Sequence, residues 1–370
     1  MNQLLTIILI CWSVCSFSQN SLFPGEKIIK VNGVESLVYF SPGDSNKPLL
    51  VFIPGDSHLA RIAYGYPAGK PEHFLAYWLK KEGYPFLALS YPLKNAVYSQ
   101  VYPDFTIQDW GEQAATVIAQ TITEHRLNKK FIILGWSMGG SIENRLTQSA
   151  HQKGLEVQLF IGLASMPPLP FIMQKGQYDT NIISKQGLAD RKPVIPLFYQ
   201  LVQAQEHDQG EIIIPKKVYE EEFVGDIPAA LSAEGYWHQG NKIISNTDAT
   251  LKDAAVLDFS TTPWIALLVD TDPGTAKISL IDPASWYLLR SEMIYARYLK
   301  GKIPDDMSPQ RWQAITDLIN SLYGQLTLSI HGNHFFFIGK KGARETAEKI
   351  TILIQRVEQV KSRLNQLLPQ

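Results

Sequence analysis

Between residues 27 and 164 the apolar and polar positions follow two alternating rhythms. Short continuous apolar runs at residues 49–53, 85–90, 131–134 and 157–164 have the character of strands buried on both faces. The stretches between them carry apolar residues at helical spacing. Residues 71–79 open with Pro71 in the first turn, and residues 109–125 place Ala114, Val117, Ile118 and Ile122 on one face. Strand and helix at these intervals predict an α/β fold, with a mostly parallel central sheet and helices on both faces. Ahead of this series, runs at 27–31 and 36–40 flank Asn32-Gly33, the favoured turn of a hairpin. The rhythm fails from about 165 to 262, a stretch of scattered prolines and aromatics too long for an ordinary connection. It resumes with a strand at 263–269, helical segments near 284–299 and 308–322, and a strand at 326–330. A closing helix from about Ala343 is marked by a stripe of Ala347, Ile350, Ile354, Val357, Val360 and Leu364.

Composition narrows the field. The chain has 370 residues, 45% hydrophobic and 19% charged, enough for a sizeable core and against a disordered chain. A formal net charge of −1, with acids and bases interspersed, argues against a nucleic-acid partner. The apolar stretch from Leu4 to Val14 is too short to span a bilayer comfortably, and small and polar residues follow it through Asn20. It reads as a secretory signal peptide over residues 1–19, placing the protein in the secreted or periplasmic space with no stable membrane insertion after cleavage. Both cysteines, Cys11 and Cys15, lie inside that stretch, so a chain cleaved near residue 19 keeps no thiol and no Cys-ligated metal site. No His/Asp/Glu cluster has ligand spacing either, and neither metal nor organic cofactor is expected.

The chemistry centres on one turn. The apolar run ending at Leu134 meets Gly135-Trp136-Ser137-Met138-Gly139, and the residues after it read as helix. This is a G-x-S-x-G pattern in a strand–turn–helix context. A serine presented on a sharp turn needs neighbours without bulk, which Gly135 and Gly139 supply. The turn also sets Ser137 at a helix N-terminus, where the N–H of Met138 can face a developing oxyanion.

Gly135-Trp136-Ser137-Met138-Gly139-Gly140 resembles the nucleophile elbow of the α/β-hydrolases, in particular their esterase, lipase and thioesterase members. The resemblance covers most of the chain after the first twenty or so residues. It implies a Ser-acid-His triad in that chain order and a cap formed by the insertion at about 165–262. Two histidines follow the last strand, His331 and His334, and Gly332-Asn333-His334-Phe335 matches the family turn, so His334 is preferred as the base. The loop after 263–269 offers Asp270 and Asp272 for the acid, and Asp272 before Pro273 is preferred, with Asp270 capping the turn. Pro54-Gly55 stands where the family commonly has His-Gly, making the backbone N–H of Asp56 the second oxyanion donor beside that of Met138. The resemblance implies a serine hydrolase acting on a small or lipid-like acyl substrate, a carboxylesterase or lipase before an amidase, peptidase or thioesterase. A hydrolase-like protein that binds without catalysis is the alternative from another class.

Overall fold

The computed structural model describes residues 22–169, 183–232, 235–304 and 306–368. The signal-peptide expectation over 1–19 lies outside them. The strands are β1 (Glu26–Val31), β2 (Val34–Ser41), β3 (Leu49–Ile53), β4 (Phe86–Ser90), β5 (Lys130–Trp136), β6 (Glu156–Leu163), β7 (Tyr236–Gln239), β8 (Lys242–Ser245), β9 (Ile265–Asp270) and β10 (Thr327–Ile330). The helices are α1 (Arg61–Tyr64), α2 (Leu75–Lys81), α3 (Ile107–His125), α4 (Glu143–Gln152), α5 (Ile195–Gln209), α6 (Lys216–Glu222), α7 (Thr247–Asp253), α8 (Ala276–Ile294), α9 (Pro309–Gln325) and α10 (Lys340–Leu367).

Eight strands form one sheet in the order β1-β2-β4-β3-β5-β6-β9-β10. The pairs β1–β2 and β2–β4 are antiparallel, and every pair from β4 to β10 is parallel. The predicted mostly parallel sheet is present. The β1–β2 hairpin turns at Asn32 and Gly33 with φ of 49° and 80°, as a two-residue turn matched to strand twist requires.

Successive side chains of a strand face opposite ways, and two cores result. Leu50, Phe52, Ile132, Leu134, Ile161 and Leu268 meet α2 and α10 through Leu75, Leu79, Ile350 and Leu353. Leu49, Val51, Ile53, Ile133, Phe160 and Leu267 meet α3 and α4 through Val117, Ile118, Leu146 and Ala150. This two-sided burial is why the central strands read as unbroken apolar runs.

Two boundaries differ from the sequence expectation. Residues 71–79 are not one helix: a 3₁₀ turn (Pro71–His73) stops at Phe74, whose extended backbone carries its ring against Tyr66 before α2 begins. The helix expected near 284 begins at Ala276, because α8 runs through Pro283 rather than starting beside it. That earlier start places Thr275 and Ser279 beside the end of β9.

The insertion carries α5, α6, α7 and the β7–β8 hairpin. Among the described residues no helix is long and apolar enough to cross a membrane.

Candidate active site

Ile53, Gly135, Gly162, Leu267 and Thr327 lie in one register row across β3, β5, β6, β9 and β10. The chain therefore leaves these five parallel strands at the same edge, the edge where open α/β sheets hold their ligands. The residues singled out in the sequence sit in the loops that follow.

Ser137 follows β5 directly and opens a 3₁₀ turn, Ser137–Gly140, that leads to α4. Its φ is 50°, a region that costs a non-glycine residue on the order of 1–3 kcal/mol and persists only where the surroundings hold the backbone there. The surroundings are tight. A Cβ on Gly139 would lie 2.5 Å from the Ile53 carbonyl oxygen, and one on Gly135 would lie 2.6 Å from the Phe160 ring. Real Cβ atoms do not come that close, so both glycines are sterically required. Met166 N–H donates to the Ser137 carbonyl at 2.9 Å and fixes the turn from the β6 side. Met138 is buried, and its N–H belongs to the first turn of the 3₁₀ helix, where no intrahelical acceptor exists.

His334 is buried and lies beside the elbow. Trp136 Nε1–H donates to the His334 carbonyl at 3.0 Å, and the two rings are 5.5 Å apart. Burial lowers the imidazole pKa from its ordinary value, and the charge of Asp270 pulls it partly back. His331, three residues earlier, is turned outward with its side chain 74% exposed and 3.9 Å from Asp208. Gly332 between them has φ of 126°, and its carbonyl accepts from Thr271 N–H at 3.3 Å, tying the histidine loop to the loop after β9.

The two aspartates of that loop take the reverse of the expected places. Asp270, the last residue of β9, is 3% exposed, and its Oδ1 accepts from Thr275 and from Ser279 Oγ at 2.9 Å. Its Oδ2 and His334 Nδ1 are both buried and without a hydrogen-bond partner. Asp272 is turned to other work: its carboxylate accepts from Gly274 N–H at 2.8 Å and caps the 3₁₀ turn Pro273–Thr275. The signal was present in the sequence, since Asp before Pro-Gly is an N-cap followed by Pro at the first helical position. Asp272 caps that turn, and Asp270 is the buried carboxylate whose charge reaches the His334 imidazole.

On the other side of Ser137 lies the turn after β3. A Cβ on Gly55 would come 2.8 Å from Ser137 Cβ, so this backbone packs against the nucleophile turn. The Asp56 carboxylate is engaged with its neighbours, accepting from Ser57 Oγ at 2.9 Å and forming an ion pair with Arg191 at 3.3 Å. His58, which sequence reasoning passed over, is fully buried. Its Nδ1 lies 2.6 Å from the Asp56 carbonyl and its Nε2 2.7 Å from Tyr219 Oη. A carbonyl only accepts, so Nδ1 carries the proton and Nε2 accepts from Tyr219. Burial lowers the His58 pKa to about 3, which keeps the ring neutral.

The insertion reaches both sides of the site. Arg191 and Tyr219 hold the turn after β3, and Asn333 Nδ2 donates to the Leu201 carbonyl at 2.7 Å beside His334. Glu143, at the start of α4, is buried with neither carboxylate oxygen hydrogen-bonded, and burial raises its pKa to about 8. Among the described residues no group of three or more His, Cys, Asp or Glu could hold a metal ion.

No family model matches the chain. No curated protein matches it by sequence. Among solved structures it is similar to a carboxylesterase of the thaumarchaeon Nitrososphaera gargenis, at 14% identity, over 91% of this chain and 99% of that one, with a TM-score of 0.48. An esterase from Rhodococcus sp. ECU1013 is 13% identical over 90% of this chain and 98% of its own, with a TM-score of 0.49. The thioesterase domain of the curacin biosynthetic pathway is 12% identical over 88% and 98%, with a TM-score of 0.42. At these identities the chemistry rests on the geometry of this chain alone.

Proposed function

We propose that the protein is a serine hydrolase that cleaves carboxylic esters by acyl transfer, with Ser137 as nucleophile, His334 as base and Asp270 as the orienting carboxylate. The observation that carries this reading is the convergence at one sheet edge of a strained serine and a buried imidazole under an aspartate's charge. Ser137 Oγ attacks the substrate carbonyl carbon while His334 takes its proton, and the carbonyl electron pair moves onto oxygen. The N–H groups of Met138 and Asp56 receive that oxyanion. His334 then hands the proton to the departing alkoxide as the carbon–oxygen bond breaks, leaving an acyl-serine. Water attacks the acyl-serine with His334 again as base, and Ser137 leaves with the proton restored. Asp270 keeps the imidazole in the tautomer whose Nδ1 bears hydrogen, so that the other nitrogen faces Ser137.

The substrate is a small or lipid-like acyl ester, and the aromatic, proline-rich insertion acts as a cap over its apolar part. The N-terminal stretch directs export, which the mass of the mature protein from an exporting host tests: a chain starting near residue 20 supports it and an intact Met1 opposes it. The catalytic reading is tested with p-nitrophenyl esters of increasing acyl length, on wild type and Ser137→Ala. Turnover by wild type and none above background in the variant is expected; equal turnover by both would remove Ser137 from the mechanism.

A further inference from the structure

The turn from Gly55 to His58 is held with more care than a connecting loop needs. Ser57 has φ of 65°, so a second strained non-glycine residue lies two positions after Gly55, whose backbone packs against Ser137. Strain of this kind persists only where neighbours over-determine the backbone, and here they do. The Gly55 carbonyl accepts from Tyr91 Oη–H at 2.7 Å and from the His58 N–H at 3.4 Å. The Asp56 carbonyl accepts from His58 Nδ1–H, the Asp56 carboxylate is held by Ser57 and Arg191, and the Ser57 carbonyl accepts from Gly225 N–H at 3.0 Å. Tyr91 and His58 are both fully buried.

The consequence follows from peptide geometry. No peptide bond among the described residues is cis, and in a trans unit the C=O and N–H point in opposite directions. The Gly55 carbonyl and the Asp56 N–H belong to the same unit. Anchoring that carbonyl on Tyr91 therefore fixes the direction of the Asp56 N–H, in a backbone that already packs against Ser137. We propose that Tyr91 and His58 are positioning residues: they lock the two peptide planes flanking Asp56 so that its N–H stands ready for the oxyanion. This rests on the serine-hydrolase reading above. Neither clamp titrates during turnover. Burial raises the Tyr91 phenol well above its ordinary range, so it remains a donor, and it keeps His58 neutral.

Tyr98 supplies the control. Its hydroxyl is in the same buried network, donating to the Tyr91 carbonyl at 2.9 Å, yet it does not touch the Gly55–Asp56 unit. The experiment measures kcat and KM for a p-nitrophenyl ester per site titrated with a fluorophosphonate, together with inhibition by a trifluoromethyl ketone, which forms an oxyanion on the serine. Losing one oxyanion donor outright costs about 10²–10³ in kcat, so misaiming one in Tyr91→Phe should lower kcat by about 10–100-fold with KM little changed. The ketone should weaken in proportion, and Tyr98→Phe should keep wild-type values for both. His58→Phe keeps a buried ring but removes the Nδ1–H; the same kcat-only loss is expected there, and it carries the test if Tyr91→Phe does not fold. Wild-type kcat in the folded variants, or an equal loss in Tyr98→Phe, overturns the positioning role while the hydrolase reading stands. A wild type that neither labels nor turns over overturns both.

Discussion

The turn that presents Ser137 and the turn that presents Asp270 do similar jobs in different ways. Both leave a central parallel strand at the same sheet edge and lead into a helix. The serine turn is held by steric contact: Gly135 and Gly139 leave no room for a Cβ, and the backbone of Ser137 is forced to φ of 50°. The acid turn is held by hydrogen bonds: Thr275 and Ser279 grip one oxygen of Asp270, and Asp272 caps the short turn between them. At its one glycine, Gly274, an added Cβ would meet nothing closer than Asp272 Oδ1 at 3.2 Å. A turn held by exclusion tolerates no added atom, whereas a turn held by side chains tolerates bulk and is sensitive to lost polarity.

The largest effect expected is at the acid turn. Asp270→Asn should lower kcat by about 10³–10⁴-fold, the scale seen when a triad aspartate is made neutral and the imidazole takes the wrong tautomer. Asp272→Asn should stay within about threefold of wild type, because an amide oxygen can still cap Gly274 N–H. Comparable losses in both would mean that the two aspartates share the role. The pH profile sharpens the same comparison. His334 must be neutral to act as base, and burial lowers its pKa, so the acid limb of kcat/KM should fall below the ordinary imidazole value of 6.5. Asp270 works against that lowering, so the residual activity of Asp270→Asn should show its acid limb lower still. A limb that moves up would mean that Asp270 does not act on His334.

The steric half of the comparison is tested by two alanines read by thermal or denaturant unfolding. Gly139→Ala should destabilise the fold by about 2–4 kcal/mol, since Ile53 and Pro54 backbone atoms must move to admit the methyl group. Gly274→Ala should change stability by less than about 1 kcal/mol. Similar values would erase the distinction between the two turns.

A pH-dependent effect concerns the helix that follows the serine turn. Glu143 has its pKa raised from 4.5 to about 8 by burial, so it folds as the neutral acid while the unfolded chain ionises. That contribution is fully present below pH 4.5 and is lost as pH rises toward 8, at about 1.4 kcal/mol per unit. Glu143→Gln should therefore match wild-type stability near pH 4 and exceed it by on the order of a few kcal/mol near pH 8. A constant difference across that range would show that Glu143 finds a partner in its ionised form.

The same contrast explains what could be read before the fold was known. The serine turn is local: its glycines are required by contacts the turn itself creates, and Gly-x-Ser-x-Gly after an apolar run records that in five adjacent positions. The central strands were equally legible, because burial on both faces leaves an unbroken apolar run. Choosing Asp270 over Asp272 depended on where α8 begins. Pro283 hid that start, and Thr275 and Ser279, which hold Asp270, belong to the part of the chain it concealed. His58 and Tyr91 were out of reach for a further reason. Each is defined by a partner distant in sequence, Tyr219 for one and Gly55 for the other, and nothing in periodicity or spacing announces such a pair.

The most direct test is to treat the wild-type chain with a fluorophosphonate and locate the adduct by peptide mass spectrometry. A single adduct on Ser137, absent when the chain is unfolded before treatment, is the expected result, because only the folded site activates that hydroxyl. A folded wild-type chain that takes no label, or takes it at another residue, would contradict the assignment of Ser137 as the nucleophile of a serine hydrolase.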